Sequence, residues 1–156
     1  MKTLAAIALG SNLDSSFGDR EANLREALRR LAEFGELRAV SAFYDTDPVG
    51  YVDQPRFLNA AALLETALEP KELMRGLLAI ERGMGREREG VVAKGPRVID
   101  LDLLLYGEQV MSTAELTLPH PAMHERRFVL EPLAEIAPQM KHPVLKLSVA
   151  EMLDRV

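Results

Sequence analysis

The sequence contains no cysteine and no tryptophan, and its aromatic residues are three tyrosines and five phenylalanines among 156 residues. The absence of cysteine excludes a disulfide framework, a thiolate metal site and a thiol nucleophile. The hydrophobic fraction of 47%, beside 28% charged residues, is typical of a folded protein and argues against disorder. A chain of this length is expected to form one domain, which we place at residues 1–156.

An excess of positive charge is also missing. The chain has 24 acidic and 19 basic residues and a formal net charge of −5. This balance argues against a general attraction to nucleic acid or to an anionic membrane, so neither is expected as a partner. The apolar run at the start of the chain is too short to span a bilayer, and it lacks the features of a signal peptide. We therefore expect a cytoplasmic protein.

Several common nucleotide-binding and hydrolase motifs are absent. No Gly-x-x-x-x-Gly-Lys-Ser/Thr segment occurs, which excludes a P-loop protein. The segment 83–88 lacks the third glycine of a dinucleotide-binding fingerprint, and Ser11 lacks the flanking glycines of a nucleophile elbow. A three-histidine zinc site is poorly supported, because only His120 and His124 are close in the chain.

Hydrophobic periodicity predicts the order strand, helix, strand, strand, helix, strand, followed by a loop-rich part with short helices. The predicted strands lie at 4–9, 37–44, 57–68 and 98–106, and the predicted helices lie at 24–31, 70–83, 128–136 and 148–153. This order predicts an α+β fold, a ferredoxin-like sandwich in which helices pack on an antiparallel sheet and a loop-rich C-terminal extension follows.

Three local features carry specific expectations. Residues 10–12 are expected to form a turn after the first strand. Ser16 or Asp19 is expected to cap the first helix, and Gly35 is expected to end it. The charged, glycine-punctuated segment 85–97 has no periodicity, and we interpret it as a mobile loop.

Asp100 and Asp102 interrupt an otherwise apolar predicted strand. Alternate residues of a strand share a face, so both carboxylates should point the same way, roughly 6.6 Å apart along the strand. The opposite face is expected to carry Ile99, Leu101, Leu103 and Leu105. Two carboxylates this close repel each other and are costly to desolvate without a cation. Mg²⁺ is commonly held by one or two carboxylates together with substrate phosphates, so the pair predicts a magnesium site.

Two other interpretations of the pair are a solvated strand face and aspartates paired with arginine or lysine. The neighbouring residues favour the metal, because Arg97 precedes the strand and Arg86, Arg88 and Lys94 lie in the loop before it. A guanidinium matches phosphate oxygens, and a mobile basic loop can close over a polyphosphate and exclude water. Glutamates alternate with these arginines, so a solvated turn is the alternative for the loop alone.

His120 lies between two prolines, and Arg126 and Arg127 follow it. A histidine held rigidly in this way could contact a phosphate or a bridging oxygen, although a single histidine is more often structural. Together with the aspartates, these residues indicate transfer of a phosphoryl-type group from a magnesium-bound nucleotide.

Several segments, each weak alone, carry a resemblance that covers nearly the whole chain. They are 8–12 (ALGSN), 44–50 (YDTDPVG), 53–61 (DQPRFLNAA), 80–81, 85–86, 95–102 (GPRVIDLD), 118–120 and 126–133 (RRFVLEPL). In these segments the chain resembles the 6-hydroxymethyl-7,8-dihydropterin pyrophosphokinases, an enzyme family of folate biosynthesis. The resemblance implies a Mg²⁺-dependent transferase that moves pyrophosphate from ATP to the hydroxymethyl oxygen of the pterin and releases AMP, with two Mg²⁺ ions.

The resemblance also implies roles for residues at matching positions. The catalytic residues are Arg86, Arg97, Asp100 and Asp102, and the two aspartates are also the metal ligands. The ATP-binding residues are Arg86, Arg88, Arg97, His120 and Arg126. The pterin-binding residues are Thr46, Asp47, Val49, Phe57, Asn59 and Phe128. Among the last group, Asn59 would bond the pterin edge and Phe128 would stack on its ring.

Two positions depart from the family pattern. Lys94 stands where many members have tryptophan, which removes a ring expected to cover the pterin. Phe57 stands where tyrosine is common, so a hydroxyl contact is absent.

Two other functions are compatible with the sequence. A metal-dependent nucleotidyltransferase of the polymerase-palm kind also carries Asp-x-Asp on a ferredoxin-like sheet, but the acidic balance argues against it. A non-catalytic RNA-binding domain would need exposed aromatic residues on the sheet face, where this chain has aspartates. The expected partners are ATP and the pterin, and the expected state is a monomer.

Overall fold

Strands and helices follow one another in the order that the hydrophobic pattern predicts. The computed structural model describes residues 1–48, 53–85 and 96–156. The elements are β1 (Thr3–Ser11), α1 (Arg20–Leu31), β2 (Glu36–Val40), β3 (Tyr44–Thr46), β4 (Phe57–Thr66), α2 (Pro70–Gly83), β5 (Asp100–Tyr106), β6 (Met111–Ser112), β7 (Thr117–Leu118), a 3₁₀ turn (Met123–Glu125), α3 (Arg127–Ile136) and α4 (Val149–Asp154). The prediction of an α+β fold is confirmed, and β1-α1-β2-β4-α2-β5 is the predicted core order.

Within the described residues, five strands form one antiparallel sheet in the order β2-β4-β1-β5, with β3 paired to β4 beyond the end of β2. Successive side chains of a strand point to opposite faces. On one face, Ile7 and Leu9 of β1 pack with the buried residues of α1 and α2. On the other face, Ala6 of β1 and Leu63 of β4 pack with α3 and α4. The sheet is therefore covered on both faces.

Helix α1 has one of the N-terminal caps that the sequence predicts, but it does not end at the predicted glycine. Asp19, one of the two predicted caps, accepts a hydrogen bond from the backbone N–H of Ala22 at 3.0 Å. The helix ends at Leu31, so the prediction that Gly35 ends it is wrong. A Cβ at Gly35 would overlap the backbone carbonyl of Glu65, so glycine lets the chain pass close to β4.

The single strand predicted at 37–44 is two strands, because β2 ends at Val40 and β3 begins at Tyr44. Between them the Ser41 hydroxyl accepts a hydrogen bond from the backbone N–H of Ala61 at 2.9 Å. This side-chain bond replaces a rung of the strand ladder, and the chain leaves β2 for a new position along β4.

A β-bulge in β5 changes which residues share a face. Leu103 lies opposite Ile7 and Leu105 lies opposite Ala6, so Leu104 is an extra residue on β5. Leu105 consequently packs on the α3 side, whereas Leu103 packs on the α1 side. The prediction that these two leucines share one face is wrong for this reason.

The turn predicted at 10–12 is also displaced. Strand β1 continues to Ser11, and Gly10 stands within the sheet, opposite Asn59 of β4 on one side and Asp100 of β5 on the other. The apolar run alone did not indicate this extension, because glycine and serine are typical of turns.

The C-terminal part contains the short pair β6–β7, a cis peptide bond between Leu118 and Pro119, and the two helices that cover the second face. Ser148 caps α4 by accepting a hydrogen bond from the N–H of Glu151 at 3.1 Å. None of the helices in the described ranges is long and apolar enough to cross a membrane. Residues 86–95 of the predicted loop lie outside the described residues.

His142 is a buried titratable group in the C-terminal part. Its Nδ1 accepts hydrogen bonds from the backbone N–H groups of Val144 and Leu145 at 3.3 and 3.0 Å. Burial lowers the pKa of His142 below its ordinary value of 6.5, and the nearby His124 lowers it further. The neutral ring is therefore the form that the fold favours.

We expect acid to destabilise the fold through His142. Its folded pKa lies below 6.5, so the unfolded chain takes up this proton first as the pH falls. The stabilisation is fully present above that unfolded value and is lost as the pH falls through the lowered pKa. Urea unfolding from about pH 8 to about pH 5 measures the change. His142→Asn keeps an acceptor without titrating, and an equally steep pH dependence in this variant would contradict the prediction.

Candidate active site

A cleft with a volume of about 280 Å³ lies on the face of the sheet that α3 partly covers. Ten of the predicted site residues line it: Thr46, Asp47, Phe57, Asn59, Arg97, Asp100, Asp102, His120, Arg126 and Phe128. They come from β3, β4, β5, the start of α3 and the segments beside them, so residues far apart in the chain meet at one place. Val49, Arg86 and Arg88, together with Lys94, lie outside the described residues.

Strand β5 presents both carboxylates to the cleft. Asp100 and Asp102 line it, while Leu101 between them is buried on the opposite face. Their neighbours across β1 are Gly10 and Ala8, which have no bulk to fill the space above the sheet. The Asp100 and Asp102 side chains are 25% and 31% exposed, so a ligand can reach both from solvent.

Arg97 lies at the entrance to β5 and contacts both ends of the cleft. Its Nη1 lies 3.1 Å from Oδ2 of Asp100, and its guanidinium carbon lies 5.7 Å from the ring centroid of Phe57. The interpretation of an aspartate paired with arginine therefore holds for Asp100. The same ion pair puts a group suited to phosphate directly beside a carboxylate.

Glu81 of α2 is a buried acid that the sequence analysis did not place in the site. It is 2% exposed, and its Oε2 accepts a hydrogen bond from the backbone N–H of Leu101 at 2.8 Å. Leu101 lies between the two aspartates, and its N–H points away from β1. Glu81 thus fixes the backbone that carries both carboxylates.

His120 approaches the carboxylates from the segment before the 3₁₀ turn. Its Nδ1 accepts a hydrogen bond from the backbone N–H of Ala122 at 3.2 Å, which assigns the ring proton to Nε2. That Nε2 lies 3.8 Å from Oδ1 of Asp102. Burial lowers the pKa of His120, and the charge of Arg126 lowers it further, although Asp100 opposes the shift. At neutral pH the ring therefore offers the cleft one N–H donor.

The other end of the cleft combines an amide with two aromatic rings. Asn59 donates from Nδ2 to the Thr46 hydroxyl at 2.5 Å, which turns its Oδ1 toward the cleft as an acceptor. Phe57 and Phe128 line the same end, and each has a guanidinium about 5.7 Å from its ring centroid. An amide edge beside aromatic faces suits a flat heterocycle with polar edges.

A chain of ion pairs holds the segment that bears Asp47. Arg56 binds the carboxylates of both Asp45 and Asp47, and Arg20 of α1 lies 3.0 Å from Asp45. The hydrogen bond from Arg20, followed by that from Arg56, lowers the pKa of Asp45. These side chains are accessible to solvent, and that of Asp47 is 85% exposed, so each pair adds little to the free energy of unfolding. Their effect is to orient the segment after β3.

Asn12 is a second residue whose position the sequence analysis did not use. It is 2% exposed and its amide accepts from the Arg97 N–H at 2.8 Å. The same amide donates to the Gln54 side chain at 2.8 Å and to the Pro55 carbonyl at 2.9 Å. Asn12 therefore ties the end of β1 to both segments that lead into the cleft. An asparagine after a glycine and a serine resembles a turn, so no local signal marks this contact.

The donor set fits a hard cation that brings its own ligands. In the ranges 1–48, 53–85 and 96–156, no group of three or more His, Asp or Glu side chains could hold a metal ion. Two carboxylates on alternate residues are available in the cleft, and Mg²⁺ needs only one or two when water and phosphates complete its shell. The residues present therefore suit a magnesium ion delivered with a polyphosphate.

Five further residues line the cleft that the sequence analysis did not name as site residues: Ala8, Leu9, Gly10, Ala60 and Val129. In the sequence Gly10 belongs to a predicted turn, and the other four belong to apolar runs that look like core. The pairing of β1 with β4 and β5 brings the first four to the cleft, and the start of α3 brings Val129.

Solved structures share this fold. Plasmodium falciparum HPPK-DHPS wild type with pteroate matches with a TM-score of 0.76 and 15% identity over 99% of this chain. A second structure, described as HPPK-DHPS in complex with substrates, matches with a TM-score of 0.72 and 14% identity over 99% of this chain. This chain covers 42% and 43% of those two chains, and at such identity the likeness concerns the fold alone.

Sequence comparison identifies the family. A family model described as 7,8-dihydro-6-hydroxymethylpterin-pyrophosphokinase matches residues 6–138. The 2-amino-4-hydroxy-6-hydroxymethyldihydropteridine pyrophosphokinase of Bacillus subtilis is 48% identical over 143 residues, covering 90% of this chain and 82% of that protein. The protein of the same name from Pseudomonas aeruginosa is 47% identical over 137 residues, with 88% and 82% covered. This chain belongs to the 7,8-dihydro-6-hydroxymethylpterin-pyrophosphokinase family.

We expect Asn12→Ala to lower the free energy of unfolding by about 2 kcal/mol, because it leaves the Arg97 N–H and the Pro55 carbonyl without their partner. Urea unfolding at neutral pH measures this. Leu13→Ala, a change at the exposed neighbouring residue, is the control and should cost less than about 0.5 kcal/mol. Equal stability of the Asn12 variant and the wild type would contradict this role.

Proposed function

We propose that this protein carries out the pyrophosphokinase reaction of its family in the cleft, with the nucleotide at the carboxylate end and the pterin at the amide end. The reaction transfers the pyrophosphoryl group of ATP to the hydroxymethyl oxygen of 6-hydroxymethyl-7,8-dihydropterin in folate synthesis. The observation that carries the proposal is that Asp100 and Asp102 share one cleft with Asn59 and Phe128, in a chain of this family.

The nucleotide end is proposed to hold the phosphates between carboxylates and guanidinium groups. Asp100 and Asp102 would hold magnesium, and we propose two ions bound together with ATP. The bound cations would neutralise the charge of the phosphates and make the β-phosphorus more electrophilic. Arg97 and Arg126 line this end, and guanidinium groups suit phosphate oxygens. Arg86 and Arg88, predicted to bind ATP and in the case of Arg86 to act in catalysis, belong to the same proposal.

His120 is proposed to donate a hydrogen bond to the nucleotide. The proton on Nε2 faces the carboxylates, and the backbone bond to Nδ1 fixes the ring in that orientation. A neutral N–H donor can strengthen its hydrogen bond to a phosphate oxygen as negative charge builds on that oxygen during transfer. The ring does not have to give up its proton for this. This orientation supports the prediction that His120 contacts a phosphate.

The acceptor end is proposed to bind the pterin by stacking and edge contacts. Phe128 would stack on the ring, and Phe57 would line the other side. Asn59 would accept a hydrogen bond from a ring N–H through Oδ1, since its Nδ2 is already bound to Thr46. The backbone of Thr46, Asp47 and Val49 would meet the remaining edge of the pterin.

The proposed step needs little covalent participation by the protein. The hydroxymethyl oxygen attacks the β-phosphorus, the bond from that phosphorus to the α,β-bridging oxygen breaks, and AMP leaves with that oxygen. The alcohol proton is released to water. Placing the two substrates in line and neutralising their charge accounts for most of such catalysis.

Family membership favours this reaction over the nucleotidyltransferase and RNA-binding alternatives. A monomeric state, a cytoplasmic location and a single domain over residues 1–156 stay predictions. They are compatible with small-molecule substrates that diffuse to one cleft.

The products distinguish pyrophosphoryl from phosphoryl transfer. With ATP, Mg²⁺ and the hydroxymethyl-dihydropterin, we expect AMP and pterin diphosphate in equal amounts by ³¹P NMR. The α,β-methylene analogue of ATP should give no product, because the bond that breaks is replaced. The β,γ-methylene analogue keeps that bond and should still release AMP. Formation of ADP would show that the proposed reaction is wrong.

Asp100→Asn and Asp102→Asn should each lower kcat by about 100-fold or more, because each removes a charged metal ligand. Thermal stability should stay near that of the wild type, because both side chains are partly exposed and asparagine keeps their shape and one oxygen acceptor. Asp154→Asn, an exposed change at the end of α4, is the matched control and should leave kcat unchanged. A fully active double variant at 100 and 102 would contradict the metal assignment.

A further inference from the structure

Gly10 of β1 lies between the amide end and the carboxylate end of the cleft. It lies opposite Asn59 on β4 and opposite Asp100 on β5. Neighbouring strands are roughly 4.8 Å apart, so the amide and the carboxylate arise from backbones roughly 10 Å apart. All three residues line the cleft. Between the amide end and the carboxylate end, the surface of the cleft at position 10 is therefore a glycine backbone.

The backbone conformation does not require glycine here. Gly18, Gly85 and Gly107 are the glycines with positive φ among the described residues, and Gly10 is not one of them. Glycine inside a strand costs stability and often marks a place where a ligand approaches the backbone closely. The absence of a side chain at position 10 is therefore explained by the cleft and not by the backbone conformation.

Space above the strand supplies that explanation. A Cβ at position 10 would lie 3.0 Å from Oδ1 of Asn59 and 3.8 Å from Cδ1 of Phe57. The first distance is too short for an undisturbed contact, so either the amide or the backbone would have to move. Asn59 is held by its bond to Thr46, so the added methyl group would cover the oxygen that faces the cleft.

At the carboxylate end of the cleft, the same strand already carries a methyl group. Ala8 lies opposite Asp102 just as Gly10 lies opposite Asp100, and both small residues line the cleft. On its other side Ala8 meets Ala61, whereas Gly10 meets Asn59. A methyl group beside a cleft carboxylate is thus compatible with this site. The difference at position 10 is the neighbouring amide.

We propose that Gly10 is a specificity-determining residue for the acceptor substrate, because its missing side chain leaves Asn59 accessible and keeps open the passage from the amide to Asp100. The inference rests on the proposed function, which places the pterin at Asn59 and the phosphates at Asp100. A flat heterocycle with a short alcohol arm fits this surface. An added methyl group at position 10 would act on the acceptor and leave the nucleotide in place.

Calorimetric titration of Gly10→Ala with two ligands tests the proposal. The α,β-methylene analogue of ATP with Mg²⁺ should bind within about twofold of wild type. The hydroxymethyl-dihydropterin, titrated into that complex, should bind about tenfold or more weakly, the usual range for one methyl group in a tight pocket. Gly83→Ala is the matched control, since its added Cβ meets only the end of the Arg30 side chain outside the cleft, and both affinities should stay unchanged.

A double variant distinguishes a clash between the new methyl group and Asn59 from a general disturbance of the cleft. Asn59→Ser removes the atom that the new methyl group would strike, so adding Gly10→Ala to it should weaken the pterin by less than about twofold more. This arm also serves if Gly10→Ala alone does not fold. Unchanged pterin affinity in Gly10→Ala, or equal loss of both ligands, would overturn the inference. Failure of the wild-type complex to bind the pterin at all would instead overturn the proposed function.

Discussion

The register of β1 between β4 and β5 is the constraint on which the cleft depends. That register aligns Asn59, Gly10 and Asp100 in one row across three strands, and Ala61, Ala8 and Asp102 in the next. A slip of β1 by one residue would turn its side chains to the opposite face and remove Gly10 and Ala8 from these rows. The slip is prevented by the buried alternate residues of β1, which belong to the core under α1 and α2. Hydrophobic burial on one face therefore sets the chemistry on the other.

The bulge in β5 lets one face of the sheet serve as both site and core. Up to Asp102 the α3 side of β5 is acidic, and after the bulge Leu104 and Leu105 are both buried there. Helix α3 follows the same division. Its first turn brings Phe128 to the cleft, while Leu133 further along packs in the second core. The site thus lies where the helix begins and the apolar part of the sheet ends.

The sequence predicts the order of elements well because each depends on a local pattern: the apolar run of β5, the alternation around Asp100, and the cap at Asp19. It fails where distant contacts decide. The Ser41 bond to β4 divides one predicted strand into two, and the close approach at Gly35 replaces a predicted helix end. The residues themselves indicate Asp100, Asp102 and the basic groups beside them, and the resemblance adds the pterin-binding residues. Ten of the predicted site residues meet in the cleft. Gly10, Glu81 and Asn12 were missed as parts of the site, because their neighbours come from remote strands and loops.

The cleft charges form pairs that resemble those of the proposed complex. Arg97 bonds Asp100, and Arg56 bonds Asp47. In the complex that we propose, Arg97 would exchange a carboxylate for phosphate oxygens, and Asp100 would exchange the guanidinium for the cation. Each group has an opposite charge before and after binding, so the carboxylates are not left to repel each other in the unliganded protein. The Glu81 bond to Leu101 would keep the backbone in place during this exchange, because it anchors the strand from the opposite core. Binding can therefore change the partners of the charges without changing the sheet that holds them.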